Sequence, residues 1–308
     1  MLLIILSCIG LSGSDQTAVT TGGDVSPTPA VESEQGFMLT RWTVGMQVHS
    51  AAVADDGEAL YGAIGGGTVC TFDGDGTMVA DSDVSADADL RDSRDEQALA
   101  ATESGVELLD VNNNAVKRWE VAGVRDAALR EHGMVAVTSS AIRWFSDSAE
   151  VASMPTAGCS SLSLDREADV AWVACGSSVV AYEVDNATGF AVAGGASRVA
   201  WSAQAGLLFV VDAAGTQLSA VTPEGAVVWS EALSGNAKGL VAVGGTDVAA
   251  VLVSGEEANQ LVLLSGVDGA ILDSGKTDAT RINGAHEEPV LELNGGFSTS
   301  LVDVEIGG

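Results

Sequence analysis

The chain has 308 residues, 46% of them apolar but only 5% aromatic, so its core has to be built mainly from Ala, Val and Leu. Its 43 acids against 13 bases, only three of them lysines, give a formal net charge of −30. A surface of that sign repels phosphate backbones and anionic headgroups, which excludes nucleic acid and direct lipid-surface binding as ordinary partners.

The chain opens on an apolar run, Met1-Leu2-Leu3-Ile4-Ile5-Leu6. It is too short to span a bilayer, which takes about 20 residues, and it lacks the base of an ordinary secretory signal. Ile5-Leu6-Ser7-Cys8 resembles the lipobox of bacterial lipoproteins. That resemblance implies a signal segment over 1–7, lipid attachment at Cys8 and residence in the bacterial cell envelope. From 8 to 36 the chain reads as the acylated cysteine and a disordered tether. Ser, Thr, Gly, Asp and Glu dominate it, with no base and no apolar period.

The clearest element beyond is a hairpin between Cys159 and Cys175. Ser160-Ser161-Leu162-Ser163-Leu164 alternates, Asp165-Arg166-Glu167 turns, and Val170-Ala171-Trp172-Val173-Ala174 returns as an apolar arm. Such runs predict short strands, and two strands alone cannot bury their faces. Six further copies supply neighbours. Their first arms begin near Ser50, Ala88, Asp126, Val199, Gly239 and Ile282, and each is followed by a second, outer hairpin. Outer turns fall at Asp73-Gly74-Asp75-Gly76, Asn112-Asn113-Asn114 and Thr222-Pro223-Glu224-Gly225, among others. Four strands in about 40 residues make a propeller blade. The spacing therefore predicts an all-β, seven-bladed β-propeller over 37–308. The last repeat lacks its outer strand, and Arg41-Trp42-Thr43-Val44 matches Arg118-Trp119-Glu120-Val121 in the second. Residues 37–44 are thus expected to close the ring as the outer strand of blade seven, which removes an open sheet edge.

Val53-Ala54-Asp55-Asp56-Gly57 and Ala181-Tyr182-Glu183-Val184-Asp185-Asn186-Ala187-Thr188-Gly189 resemble the repeats of bacterial YVTN-type and quinoprotein-like (WD40-like) propellers. A quinone-type repeat places Trp late in each outer strand; here only Trp42, Trp119 and Trp229 do so. The resemblance implies a fold and leaves the activity open.

Few residues point to catalysis. His49, His132 and His286 fall in different blades, and neither HExxH nor GxSxG occurs. No metal or cofactor is called for. Asp73-Gly74-Asp75-Gly76-Thr77 reads as an Asp-Gly hairpin turn or as part of a calcium loop. Cys159 and Cys175 are expected to face one another across their hairpin and form a disulfide, and Cys70 to pack as a small apolar residue.

Aligning the repeats on the residue leading into each inner strand collects His49, Asp87, Arg125, Cys159, Arg198, Lys238 and Arg281. A propeller turns one phase into one ring. Arg125, Arg198, Lys238, Arg281 and His49 are therefore a candidate anion-binding ring at the channel mouth, unless each base pairs with a neighbouring Asp or caps backbone carbonyls. The turns at the other end look acidic, with Asp55, Asp56, Glu131, Asp165, Glu167, Glu287 and Glu288. The sequence thus points to a lipid-anchored, monomeric, non-catalytic binding or scaffold module whose partner is an envelope protein or a small anionic ligand. Two alternatives stand beside it: a propeller hydrolase or lactonase with a site at the channel mouth, and an outer-membrane assembly scaffold of the quinoprotein-like type.

Overall fold

The computed structural model describes residues 30–306, apart from 47, 65–66, 85–87, 95 and 296–297. The signal segment 1–7, Cys8 and the tether up to 29 lie outside the described residues, as does Asp87 of the ring. Short apolar stretches separated by Gly- and Asp-rich turns form seven antiparallel sheets. Blade one holds Ser50–Val53, Ala59–Ile64, Thr68–Asp73 and Met78–Asp83; blade two Asp89–Arg94, Gln97–Thr102, Gly105–Leu109 and Ala115–Trp119. Blade three holds Val124–Arg130, Gly133–Thr138, Ala141–Phe145 and Glu150–Pro155. In blade four Cys159–Asp165 is followed by the continuous strand Val170–Glu183, which pairs with the first strand through its first half and with Asn186–Ala196 through its second. Blade five holds Arg198–Ser202, Leu207–Val211, Gln217–Val221 and Val227–Ala232. Blade six holds Ala237–Ala242, Val248–Val253, Asn259–Ser265 and Ile271–Thr277, and blade seven Arg281–Gly284, Val290–Asn294 and Thr299–Val304.

The ring closes as the missing outer strand of blade seven required. Met38–Val44 pairs antiparallel with Thr299–Val304, from Met38 opposite Val304 to Val44 opposite Thr299. The first strand of each blade packs on that of the next, and that of blade seven on blade one. The core is correspondingly divided into seven apolar clusters, each lying between two neighbouring blades. Each sheet is covered on both faces, which explains why second strands such as Val248–Val253 read as unbroken apolar runs.

The late tryptophans tie blade to blade at the periphery. Trp119 Nε1 donates to Ser146 O of blade three at 3.0 Å, and Trp229 Nε1 to Gly266 O of blade six at 2.7 Å. Trp42 and Trp229 lie over Gly76 and Gly269, which hold φ of +79° and +76°. A Cβ on either glycine would come within 2.9 and 2.7 Å of the indole, so these turns need glycine for space as well as for backbone angle.

The expected tether ends earlier than residue 36. Glu32–Ser33 adds a fifth strand to blade six, with Glu32 opposite Lys276 and Ser33 opposite Gly275. Val31 is buried with the apolar residues between blades six and seven. Asp273 accepts from Ser33 Oγ, from Gln35 N at 2.8 Å and from Phe37 N at 3.0 Å. Composition made this stretch look solvated, but strand pairing, one buried apolar side chain and one buried carboxylate strap it down.

Candidate functional site

The first strands of the blades leave a channel of about 390 Å³ along the ring axis. Each such strand is a sheet edge whose outward N–H groups need acceptors. Polar side chains of the preceding blade supply them. Ser50 Oγ accepts from Leu90 N (2.8 Å), Asp92 Oδ2 from Leu129 N (2.7 Å), Asp126 Oδ2 from Leu162 N (2.8 Å), and Ser163 Oγ from Trp201 N (2.9 Å). These links run from blade one to blade five. Among the described residues no side chain accepts from a backbone N–H of blade six's first strand.

One end of the channel is blocked. Arg166, in the inner turn of blade four, crosses the axis to blades one and two. Its Nη1 donates to both oxygens of Asp55 at 2.7 and 2.6 Å, and its Nη2 to both of Asp92 at 3.1 Å and to Ser93 O at 2.6 Å. His286 of blade seven adds Nε2 to Asp92 Oδ1 at 2.9 Å. Burial alone would raise the Asp92 carboxyl; Arg166 and His286 outweigh it and hold that group well below the usual carboxylate range. The turns at this end are acidic on the outside, but their centre is a guanidinium shared by two carboxylates.

At the open end the predicted ring divides. Arg198, Lys238 and Arg281 line the channel; Arg125 and His49 do not. Arg125 Nη1 donates to Cys159 O at 2.8 Å, and His49 Nε2 to Ala88 O at 2.5 Å, each capping a carbonyl of the next blade. Arg281 donates to His49 O and lies 3.8 Å from Asp89, and Lys238 Nζ donates to Asn259 Oδ1 at 2.9 Å. Arg198 makes no hydrogen bond or ion pair among the described residues. Burial pushes its guanidinium below the ordinary value, and the charge of Asp126 offsets part of that. Asp126 is the acidic counterpart. Burial raises its carboxyl to about 6, against the pull of Arg91 and of the Leu162 and Ala127 amides.

Sequence reasoning missed Arg166, Asp92, Asp126, Arg91 and the role of His286. The only signal was a base amid acids at an inner turn, in a chain with few bases. A further titratable group sits behind the wall. Glu292 is fully buried, accepts from Asn283 Nδ2 at 3.0 Å, and leaves Oε1 without a partner. Burial raises its carboxyl to about 8, with Asn283 and Arg281 opposing.

Elsewhere, Cys159 and Cys175 are register partners joined by a disulfide, and Cys70 is buried. Asp73 accepts from Thr77 N at 2.8 Å and Asp75 N at 3.3 Å, spending one oxygen on its own turn. Among the described residues no three of His, Cys, Asp and Glu converge as a metal site.

No protein-family model matches the chain, and no curated protein matches it in sequence. Solved structures match it in fold. The β-propeller domain of Cps50 (Swd1) from Myceliophteria thermophila superposes with a TM-score of 0.72 at 11% identity, over 88% of this chain and 100% of that one. BBS1N, in complex with ARL6DN, gives 0.69 at 11% identity, over 88% and 98%. Hsv2 from Kluyvelomyces marxianus gives 0.64 at 12% identity, over 80% and 88%. At these identities the likeness establishes the propeller fold alone.

Proposed function

We propose that this seven-bladed propeller is the non-catalytic binding module of an exported, lipid-anchored bacterial envelope protein of the YVTN or quinoprotein-like type, and that its blind channel takes a small anionic ligand. The observation that carries the binding reading is Arg198, a partly buried guanidinium in the channel wall that makes no hydrogen bond or ion pair among the described residues. Partial burial disfavours a guanidinium that has no hydrogen-bonding partner, and an anion arriving from the open end relieves that cost. A concave site with a few convergent polar groups is the usual form of a ligand pocket. The anchor reading rests on the lipobox resemblance at Cys8. A protein partner on the outer faces is compatible with it, as propellers such as BBS1N are found in complexes.

Calorimetric titration of the purified protein with acetate and with inorganic phosphate tests the pocket. Saturable binding that is lost in Arg198→Gln is expected. Absence of binding, or equal binding by Arg198→Gln, overturns it. Cys8→Ala is expected to move the protein from the membrane to the soluble fraction; unchanged retention overturns the anchor.

A further inference from the structure

We infer that the channel takes a small zwitterion, a molecule bearing both a carboxylate and an ammonium group such as an amino acid, with the carboxylate on Arg198 and the ammonium on Asp126. The inference rests on the anion-binding reading of this channel and adds a second pole to it.

Most charges of the channel are already committed. Asp89 is held by Arg91 at 2.5 Å. Asp92 is held by Arg166 and His286. Arg281 is spent on the His49 carbonyl and Asp89, and Lys238 on Asn259. Arg198 and Asp126 remain. Both line the same cavity, and Asp126 acts electrostatically on Arg198, yet they form no ion pair. Asp126 has backbone donors only, from Leu162 at 2.8 Å and Ala127 at 3.0 Å, with Arg91 contributing through its field rather than a bond.

Two opposite charges that share a cavity without touching repay each other's desolvation only in part. A plain anion on Arg198 would repay one and meet the field of Asp126 as repulsion. A molecule with an ammonium group repays both and turns that repulsion into a second charge-assisted contact. Position supports the same division. Where Asp126, Ser161 and Ser163 accept from the next blade's edge, Arg198 cannot accept, so the neighbouring edge of blade six adds backbone donors to the anionic pole. The volume of about 390 Å³ admits a molecule of amino-acid size together with water.

The test titrates the purified full-length protein with acetate, ethylamine, glycine, β-alanine and 4-aminobutyrate, the last three differing only in the spacing of their charges. At least one zwitterion is expected to bind about tenfold or more tighter than acetate, the worth of one added charge-assisted contact. Asp126→Asn keeps an oxygen for the Leu162 amide, and is expected to bring the zwitterion down to the affinity of acetate while leaving acetate itself unchanged or tighter. If acetate matches every zwitterion on the wild type, the inference fails and the anion reading stands. If no carboxylate binds through Arg198, both fail. An Asp126→Asn protein that weakens acetate and zwitterion equally also overturns it. Should that variant not fold, the wild-type ranking of acetate against the zwitterions decides alone.

Discussion

Arg166 of blade four and Asp55 of blade one, 111 positions apart in the chain, are joined across the ring axis by two hydrogen bonds of 2.7 and 2.6 Å. In a seven-bladed ring these blades stand nearly opposite, so the bond both closes one channel end and ties the far sides of the ring together. Both partners are mostly buried, as is Asp92, which shares the guanidinium.

Arg166→Ala is expected to destabilise the domain by about 3–5 kcal/mol, because it leaves the Asp55 carboxylate without its partner and Asp92 with only His286 and the Leu129 amide. Urea unfolding measures this. In the Arg166→Ala, Asp55→Ala double mutant the two losses are expected to be clearly non-additive. Asp92 is held below its ordinary range, so the network's contribution is present above the unfolded carboxylate range and is lost as pH falls below it.

Glu292 gives the opposite sign. Its folded carboxyl is raised from 4.5 to about 8. A raised acid favours the protonated native state, so stability is full below the unfolded value and falls as pH climbs toward 8. Asn283 and Arg281 are the groups that oppose the shift. Asp126, raised to about 6, contributes the same sign over a lower window. Glu292→Gln is expected to flatten the fall between pH 6 and 8, on the order of a few kcal/mol, and to leave below pH 6 only the share that Asp126 contributes. Thermal unfolding as a function of pH checks this.

The strap at residues 30–37 depends on Asp273, which is 1% exposed. Asp273→Ala removes the acceptor for three donors and is expected to cost about 2–3 kcal/mol. It is also expected to open Glu32 and Glu34 to a Glu-specific protease. Deleting 37–44 as well opens an edge on blade seven, and aggregation rather than simple loss of stability is the expected outcome.

Cys159 and Cys175 close a loop with a sequence separation of 16. Such a loop limits the stabilisation to about 3 kcal/mol. Cys175→Ser is expected to lower the melting temperature modestly and to leave the blade formed. Peptide mapping without reductant is expected to recover the two cysteines as one linked pair.

The fold was legible because it is written in local, repeated signals. Alternating first arms, apolar second arms and Asp-Gly turns recur at one period, and the match between Trp42 and Trp119 identified the closing strand. Strand pairing follows from hydrophobic pattern and turn position, both of which are local. The strap was not legible, since Val31 and Asp273, two of its anchors, lie 242 positions apart and neither stands out in composition.

What the sequence determined by itself is the ring: the number of blades, the way they close, and the phase that brings one residue from each blade to one end. Which of those residues face the channel was decided by tertiary structure. Arg125 and Arg198 hold the same phase, yet Arg125 finds the Cys159 carbonyl beside it and turns aside, while Arg198 finds no hydrogen-bonding partner among the described residues and stays in the wall. The floor was decided the same way, because Arg166 meets Asp55 and Asp92 only when the ring has closed. A side chain's direction is set by the partner that satisfies it most cheaply, and that partner here lies on another blade, at a distance no periodicity records.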